Sequence, residues 1–152
     1  MHLSSGLRLV ETGCATLANS YRQIADGHAD EPDVKQTCQQ FAAQCDHHEE
    51  QLKPFTARYG SHPSGERERF HANGLSSTRC GGLGLLRDLH DLYLLAGFLD
   101  MAWTLVGQAA KGARDQALIR TVDDCAKETR AQQQWLTTRV QAAAPQALVV
   151  VD

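Results

Sequence analysis

Residues 34–59, VKQTCQQFAAQCDHHEEQLKPFTARY, place Val34, Cys38, Phe41, Cys45, His48, Leu52, Phe55 and Tyr59 at alternating intervals of four and three, unbroken over seven steps. A chain that turns once every 3.6 residues gathers such positions on one side, so the stretch predicts an amphipathic α-helix with its stripe against a core. Just upstream, Asp30-Glu31-Pro32-Asp33 has the form of a helix start. It offers an aspartate to cap, a proline whose missing N–H is not needed in the first turn, and acidic groups at the positive end of the helix dipole. The predicted helix covers residues 31–60, with Asp30 as cap, a kink or early end at Pro54, and Gly60 as the stop.

Three further helices follow from the same period. Leu3, Leu7, Val10, Cys14, Leu17, Tyr21 and Ile24 form one stripe, predicting a helix over 3–27 with Ser4 or Ser5 as cap and a left-handed Gly27 at its end. A third helix is predicted over 83–111, where only Gly97, Asp100 and Thr104 are not apolar between Leu92 and Val106. Leu118, Val122, Cys125, Thr129, Gln132, Leu136 and Val140 mark a fourth over 115–143, entered through a turn at Gly112 to Asp115. Residues 61–82 contain Pro63, Gly65, Gly74 and the charged run Glu66-Arg67-Glu68-Arg69, which break every period. The stretch from Ser61 to Arg79 alone spans about 60 Å when extended, enough to cross a whole bundle. The apolar tail 145–152, with Val149-Val150-Val151, is expected to dock on a neighbouring surface, because such a segment aggregates when left free.

At 152 residues the chain is the size of one domain, and a net charge of -3 with no basic block argues against nucleic acid as a partner. Met1 to Gly13 lacks the unbroken apolar stretch of a secretory signal, so a cytoplasmic location is the default expectation. Four of the five cysteines, Cys14, Cys38, Cys45 and Cys125, fall on the stripes, where free thiols behave as small hydrophobes. The apolar run of the third helix is shorter than the roughly 20 residues of a membrane span and contains Asp100. A protein neighbour is therefore expected on it, in a homodimer or a larger complex. Asp100 itself requires a partner such as an arginine, or a place in that interface.

Two helical hairpins joined by one long crossover is an arrangement that resembles the ferritin-like superfamily, in its rubrerythrin and bacterioferritin branches. The fold so implied is an all-α, antiparallel four-helix bundle. The resemblance also implies a dimetal centre, with a glutamate from helices 1 and 3 and a Glu-x-x-His pair from helices 2 and 4. Laid on that pattern, Glu11 and His48 match, whereas Cys45 stands where the family has glutamate. A shift of about 84 residues sets Cys45 on Thr129 and His48 on Gln132, while Glu11 falls on Leu95 or Ala96. The second hairpin thus presents an apolar residue, a threonine and a glutamine in place of two carboxylates and an imidazole.

These observations predict a non-catalytic helical scaffold or accessory subunit that has lost the dimetal centre and acts through oligomerisation or partner binding. The alternative is a protein that holds iron, manganese, zinc or haem at an altered site of Glu11, Cys45 and His48. A third reading puts a small apolar ligand among Cys14, Cys45 and Cys125. His47, Glu49 and Glu50 fall on the solvated face of their helix. Asp88, His90 and Asp91, and the pair Asp123-Asp124, point in diverging directions and read as chance composition. Cys80-Gly81-Gly82-Leu83-Gly84 lacks the lysine and hydroxyl of a nucleotide loop, and no nucleophile motif is present.

Overall fold

The four stripes become four helices, α1 (Leu3–Gly27), α2 (Pro32–Tyr59), α3 (Gly81–Gly112) and α4 (Gln116–Leu148), in a computed structural model that describes residues 2–60 and 74–150. The stripe residues are the core: Leu7, Leu17, Ile24, Leu52, Leu89, Leu92, Leu99, Leu118 and Leu136 are fully buried, with Tyr21 and Trp103 the largest side chains among them. Each such leucine contributes about 1.5–3 kcal/mol by leaving water.

Neighbouring helices are α1/α2, α3/α4, α1/α3 and α2/α4, which leaves α1/α4 and α2/α3 on the diagonals. The direction of each pair follows from its contacts. Along α1 and α2, Glu11 meets Thr56 and Arg22 meets Asp46. Along α3 and α4, Asp100 meets Arg130 while Gly107 packs on Val122. Along α1 and α3, Gly13 packs on Leu99 and His28 meets Asp88. Along α2 and α4, Asp33 meets Arg139, Gln44 meets Gln132 and Tyr59 meets Asp115. Numbers rise on one helix as they fall on its neighbour, so all four adjacent pairs are antiparallel. α2 and α3 then run the same way. α2 ends beside the start of α4, and α3 begins beside the end of α1, at opposite ends of the bundle.

The chain must travel between those ends within the expected connection. Residues 61–73 of it lie outside the described set, but 74–80 are placed. Gly74 packs on Thr16 and Ser20, the Leu75 N–H donates to Ser20 Oγ at 3.4 Å, and Thr78 packs against Gly27. The strand-free segment therefore climbs along α1 toward its C-terminal end.

There it meets a buried carboxylate. Asp88, in the second turn of α3, is fully buried; its Oδ2 lies 2.8 Å from His28 Nε2 and accepts the Arg79 backbone N–H at 2.9 Å. Its Oδ1 accepts from the Arg79 guanidinium at 2.6 Å, and the same guanidinium reaches Asp91 at 2.8 Å. Asp88 and Asp91 are thus a structural pair joined through Arg79, not chance composition, while His90 is exposed. The diverging directions of neighbours on one helix did not matter, because the partner comes from another segment.

Several element ends differ from expectation. α2 continues through Pro54 to Tyr59 and stops at Gly60, whose φ of 74° needs no Cβ penalty. Its N-cap position is held by Glu31, not Asp30, without a side-chain cap bond. α1 starts after His2 with no side-chain cap, which leaves Ser4 and Ser5 inside the helix. Gly27 is not left-handed; a Cβ there would overlap Thr78, so the glycine admits the crossing segment. α3 begins two residues early at Gly81. α4 runs past Pro145 to Leu148, so the first half of the predicted tail is helix, and Val151 and Asp152 lie outside the described residues. Ala142, Ala143, Ala144, Ala147 and Leu148 are strong helix formers, and only from Val149 does β-branching prevail. Leu148, Val149 and Val150 are exposed, so they do not dock on their own bundle.

Two tests follow. Asp88→Ala removes the buried carboxylate shared by the His28 ring and the Arg79 guanidinium and should lower unfolding free energy by about 3 kcal/mol or more in urea titration. Asp115, the N-cap of α4, accepts from Tyr59 Oη at 2.7 Å, the Leu118 N–H at 3.1 Å and Arg58 at 2.8 Å. Those partners, the Tyr59 hydroxyl foremost, hold its carboxyl below the ordinary range. The anion is favoured in the folded state, so this stability is complete above the unfolded aspartate value of about 4 and is lost as pH falls below it. Asp115→Ala should cost about 1 kcal/mol at pH 7 and less at acid pH, measured by unfolding at both.

Candidate functional site

The centre of the bundle is polar but largely neutral. Tyr21 Oη donates to Gln132 Oε1 at 3.0 Å, and Gln132 Nε2 donates to Gln44 Oε1 at 3.0 Å. Cys45 Sγ lies 3.9 Å from the same glutamine. Next to this group, Trp103 Nε1–H donates to Thr129 Oγ1 at 3.1 Å, and the Thr129 hydroxyl donates in turn to the Cys125 carbonyl at 3.0 Å. Thr129 and Gln132 hold the positions where the family resemblance implies glutamate and histidine. Here they link all four helices through uncharged hydrogen bonds, which avoids the desolvation cost of buried ions.

His48 is the exception. It is fully buried, its ring stands edge-on to Trp103 at 6.0 Å between centroids, and neither ring nitrogen has a hydrogen-bond partner. The nearest charged atom is Glu128 Oε1, 3.7 Å from Nε2, beyond hydrogen-bond length. Burial pushes the imidazole pKa down, with Glu128 pulling the other way. A neutral ring therefore sits in the core with both nitrogens unused.

The surrounding thiols are held protonated. Burial pushes Cys45 and Cys125 up to about 12, and Cys14 is raised by burial with added repulsion from Cys45 and Cys125. Such thiols are poor nucleophiles at neutral pH. Cys125 Sγ lies 3.5 Å from Gln51 Oε1. Cys80, by contrast, is exposed at the start of α3.

Of the three sequence-derived ligand candidates, the structure brings Cys45 and His48 together on the inner face of α2. Glu11 goes elsewhere. Its carboxylate accepts from Thr56 Oγ1 at 2.8 Å and lines a surface hollow with Lys53, Ala57 and Gly60. Among the described residues no three His, Cys, Asp or Glu side chains are gathered as a cation cage.

What the sequence did not reveal is the partner across the seam. α2 and α4 are the least closely packed of the four neighbouring pairs, and a groove of about 460 Å³ lies over them, lined by His47, Gln51, Asp124, Lys127, Glu128 and Ala131. His48 and Gln51, three apart on α2, face Cys125 and Glu128, three apart on α4. The i, i+3 spacing was visible in each helix, but only the register between them joins the pairs.

Removing an imidazole that makes no hydrogen bond removes a penalty of about 1–3 kcal/mol per unsatisfied group. His48→Leu, unfolded in urea with a chelator present, should match or exceed wild-type stability. A loss of about 3 kcal/mol would show instead that the ring is held by a bond within the protein.

No protein-family model, no curated protein and no solved structure matches this chain.

Proposed function

We propose that this protein is a non-catalytic, ferritin-like helical scaffold or accessory subunit that works by self-association through α3. One observation carries the reading. Leu94, Met101 and Leu105 are 57%, 61% and 58% exposed, and with half-buried Phe98 they form a single outward stripe on α3. Large apolar side chains that cluster on one face mark an interaction surface, whereas scattered ones do not.

The stripe has a defined border. On the α4 side lies the ion pair of Asp100 with Arg130, at 3.2 Å. On the other side runs the segment Gly74 to Arg79, which forms a groove of about 410 Å³ with Leu94, Leu95 and Phe98. The expected arginine partner of Asp100 is thus present, and the aspartate edges the stripe without entering it.

A second copy of the chain fits this face. The intervals from Leu94 to Leu105 read four, three, four in either direction, so a two-fold related, antiparallel α3 superposes apolar on apolar. Leu94 then faces Leu105 of the partner subunit, and Phe98 faces Met101 of the partner subunit, a favourable thioether–aromatic contact. Arg87 and Asp91 close one end of the stripe and Gln108 and Lys111 the other, so polar ends meet polar ends.

α3 is also long and apolar enough, by length and composition, to cross a bilayer. Its opposite face is committed to the core, and Asp88 on it is fully buried in the contact with His28 and Arg79. A protein neighbour uses the exposed stripe without dismantling that packing. The five free thiols suit a reducing, cytoplasmic setting.

Light scattering at micromolar concentration should give the mass of a dimer. Leu94→Glu with Met101→Glu should raise the dissociation constant by about a hundredfold while helix content is kept. A wild-type chain that remains monomeric at about 100 μM, a concentration that populates any association of useful strength, would sink the proposal.

A further inference from the structure

We infer that the α2–α4 seam binds one first-row divalent cation through His48 Nε2 and the Glu128 carboxylate, with water completing the coordination. This pair differs from the Glu11, Cys45 and His48 set, and it stands independently of self-association.

The argument starts from the unused ring. Buried polar groups in native proteins find partners, and an imidazole with neither nitrogen satisfied is an uncommon exception that calls for one. Because His48 is fully buried and neither ring nitrogen makes a hydrogen bond, its acceptor nitrogen is free for an ion. The nearest anionic group is Glu128, and the 3.7 Å between Nε2 and Oε1 is too long for a hydrogen bond. Two donors bound to one tetrahedral ion at about 2.0–2.2 Å lie roughly 3.4 Å apart. The observed separation therefore suits two ligands of one cation with a small adjustment of Glu128, whose side chain is partly exposed and free to move.

Access and charge agree with this reading. The groove over the seam reaches Glu128 from solvent, and Asp124 and His47 line it alongside Lys127. Imidazole with carboxylate is a donor set suited to zinc, cobalt, nickel or ferrous iron, not to calcium or magnesium, which prefer oxygen alone. The carboxylate also offsets part of the ion's charge next to the core, while water at the open positions supplies the rest of the solvation. Cys125, nearby on α4, lies 3.5 Å from Gln51 Oε1, and a spectrum without a thiolate band distinguishes the assigned pair from a site that recruits this thiol.

Cobalt(II) is the probe, because its visible spectrum reports donor type. Full-length protein, stripped with chelator and dialysed against cobalt, should bind one equivalent per chain with ligand-field bands and no thiolate charge-transfer band. His48→Leu should abolish binding, and Glu128→Gln should weaken it about tenfold; Cys125→Ser and Glu11→Gln should leave it unchanged. Circular dichroism in chelator verifies that each variant is folded, and Glu128→Gln, at a partly exposed position, keeps the test sound if His48→Leu unfolds. Absence of binding, binding that survives both His48→Leu and Glu128→Gln, or a thiolate band lost in Cys125→Ser would overturn the assignment. Because light scattering reads association separately, failure of the cation site is distinguishable from failure of the dimer.

Discussion

The carboxylate of Asp88 governs this fold. A charge with no solvent exposure is costly unless its lone pairs are engaged, and here three donors from two segments converge on it: the His28 ring, the Arg79 backbone and the Arg79 guanidinium. Those donors come from the end of α1 and from the last residues before α3. Satisfying Asp88 therefore fixes where α3 starts and which way it points. With α3 antiparallel to α1, α2 and α3 occupy a diagonal, and α2 faces α4 across the loosest seam of the bundle. The same orientation turns Leu94, Met101 and Leu105 outward. The seam and the outward stripe both follow from where this one carboxylate is held.

The bundle centre shows the opposite solution to the same physical problem. Where a charged centre would need cations to balance it, Gln132, Gln44, Tyr21, Trp103 and Thr129 satisfy one another as neutral groups. A neutral network needs no ion to be stable, so the fold can persist without one. It also sets register, because Gln132 reaches α1 and α2 from α4 and tolerates no shift by a turn. His48 stands just outside this network with no share in it, and the seam next to it is where the helices separate most.

Much of this architecture was legible from periodicity. The stripes of α1 and α2 named the buried residues because each helix covers a core with one face, and the period survives single polar substitutions such as His48. Helix ends were less legible, since Pro145 reads as a stop although its lost N–H costs little near a C-terminus rich in alanine. Asp88 was missed for a different reason. Its importance lies in contacts with residues sixty and nine positions away, and a reading along one helix detects neither. Glu11 shows the reverse error: lying beside the stripe, it turns into the groove between α1 and α2 and finds Thr56. The inner face of α2 was predicted correctly, but the partner of His48 depended on inter-helix register, which no single helix encodes.

The two surfaces also constrain each other through geometry. The outward stripe of α3 lies between the Asp100–Arg130 pair and the segment that covers α1, whereas the groove above His48 opens between α2 and α4. A copy seated on α3 leaves that groove facing solvent, so association and cation entry do not compete for space. Any coupling between them would have to pass through the core, along Trp103, which touches His48 with its ring and reaches Thr129 with its N–H. Trp103 is fully buried and locked by that hydrogen bond. Burial and that hydrogen bond favour a single arrangement of the ring, whereas coupling requires an element with two. The two proposed faces therefore lie on separate sides of one packed core.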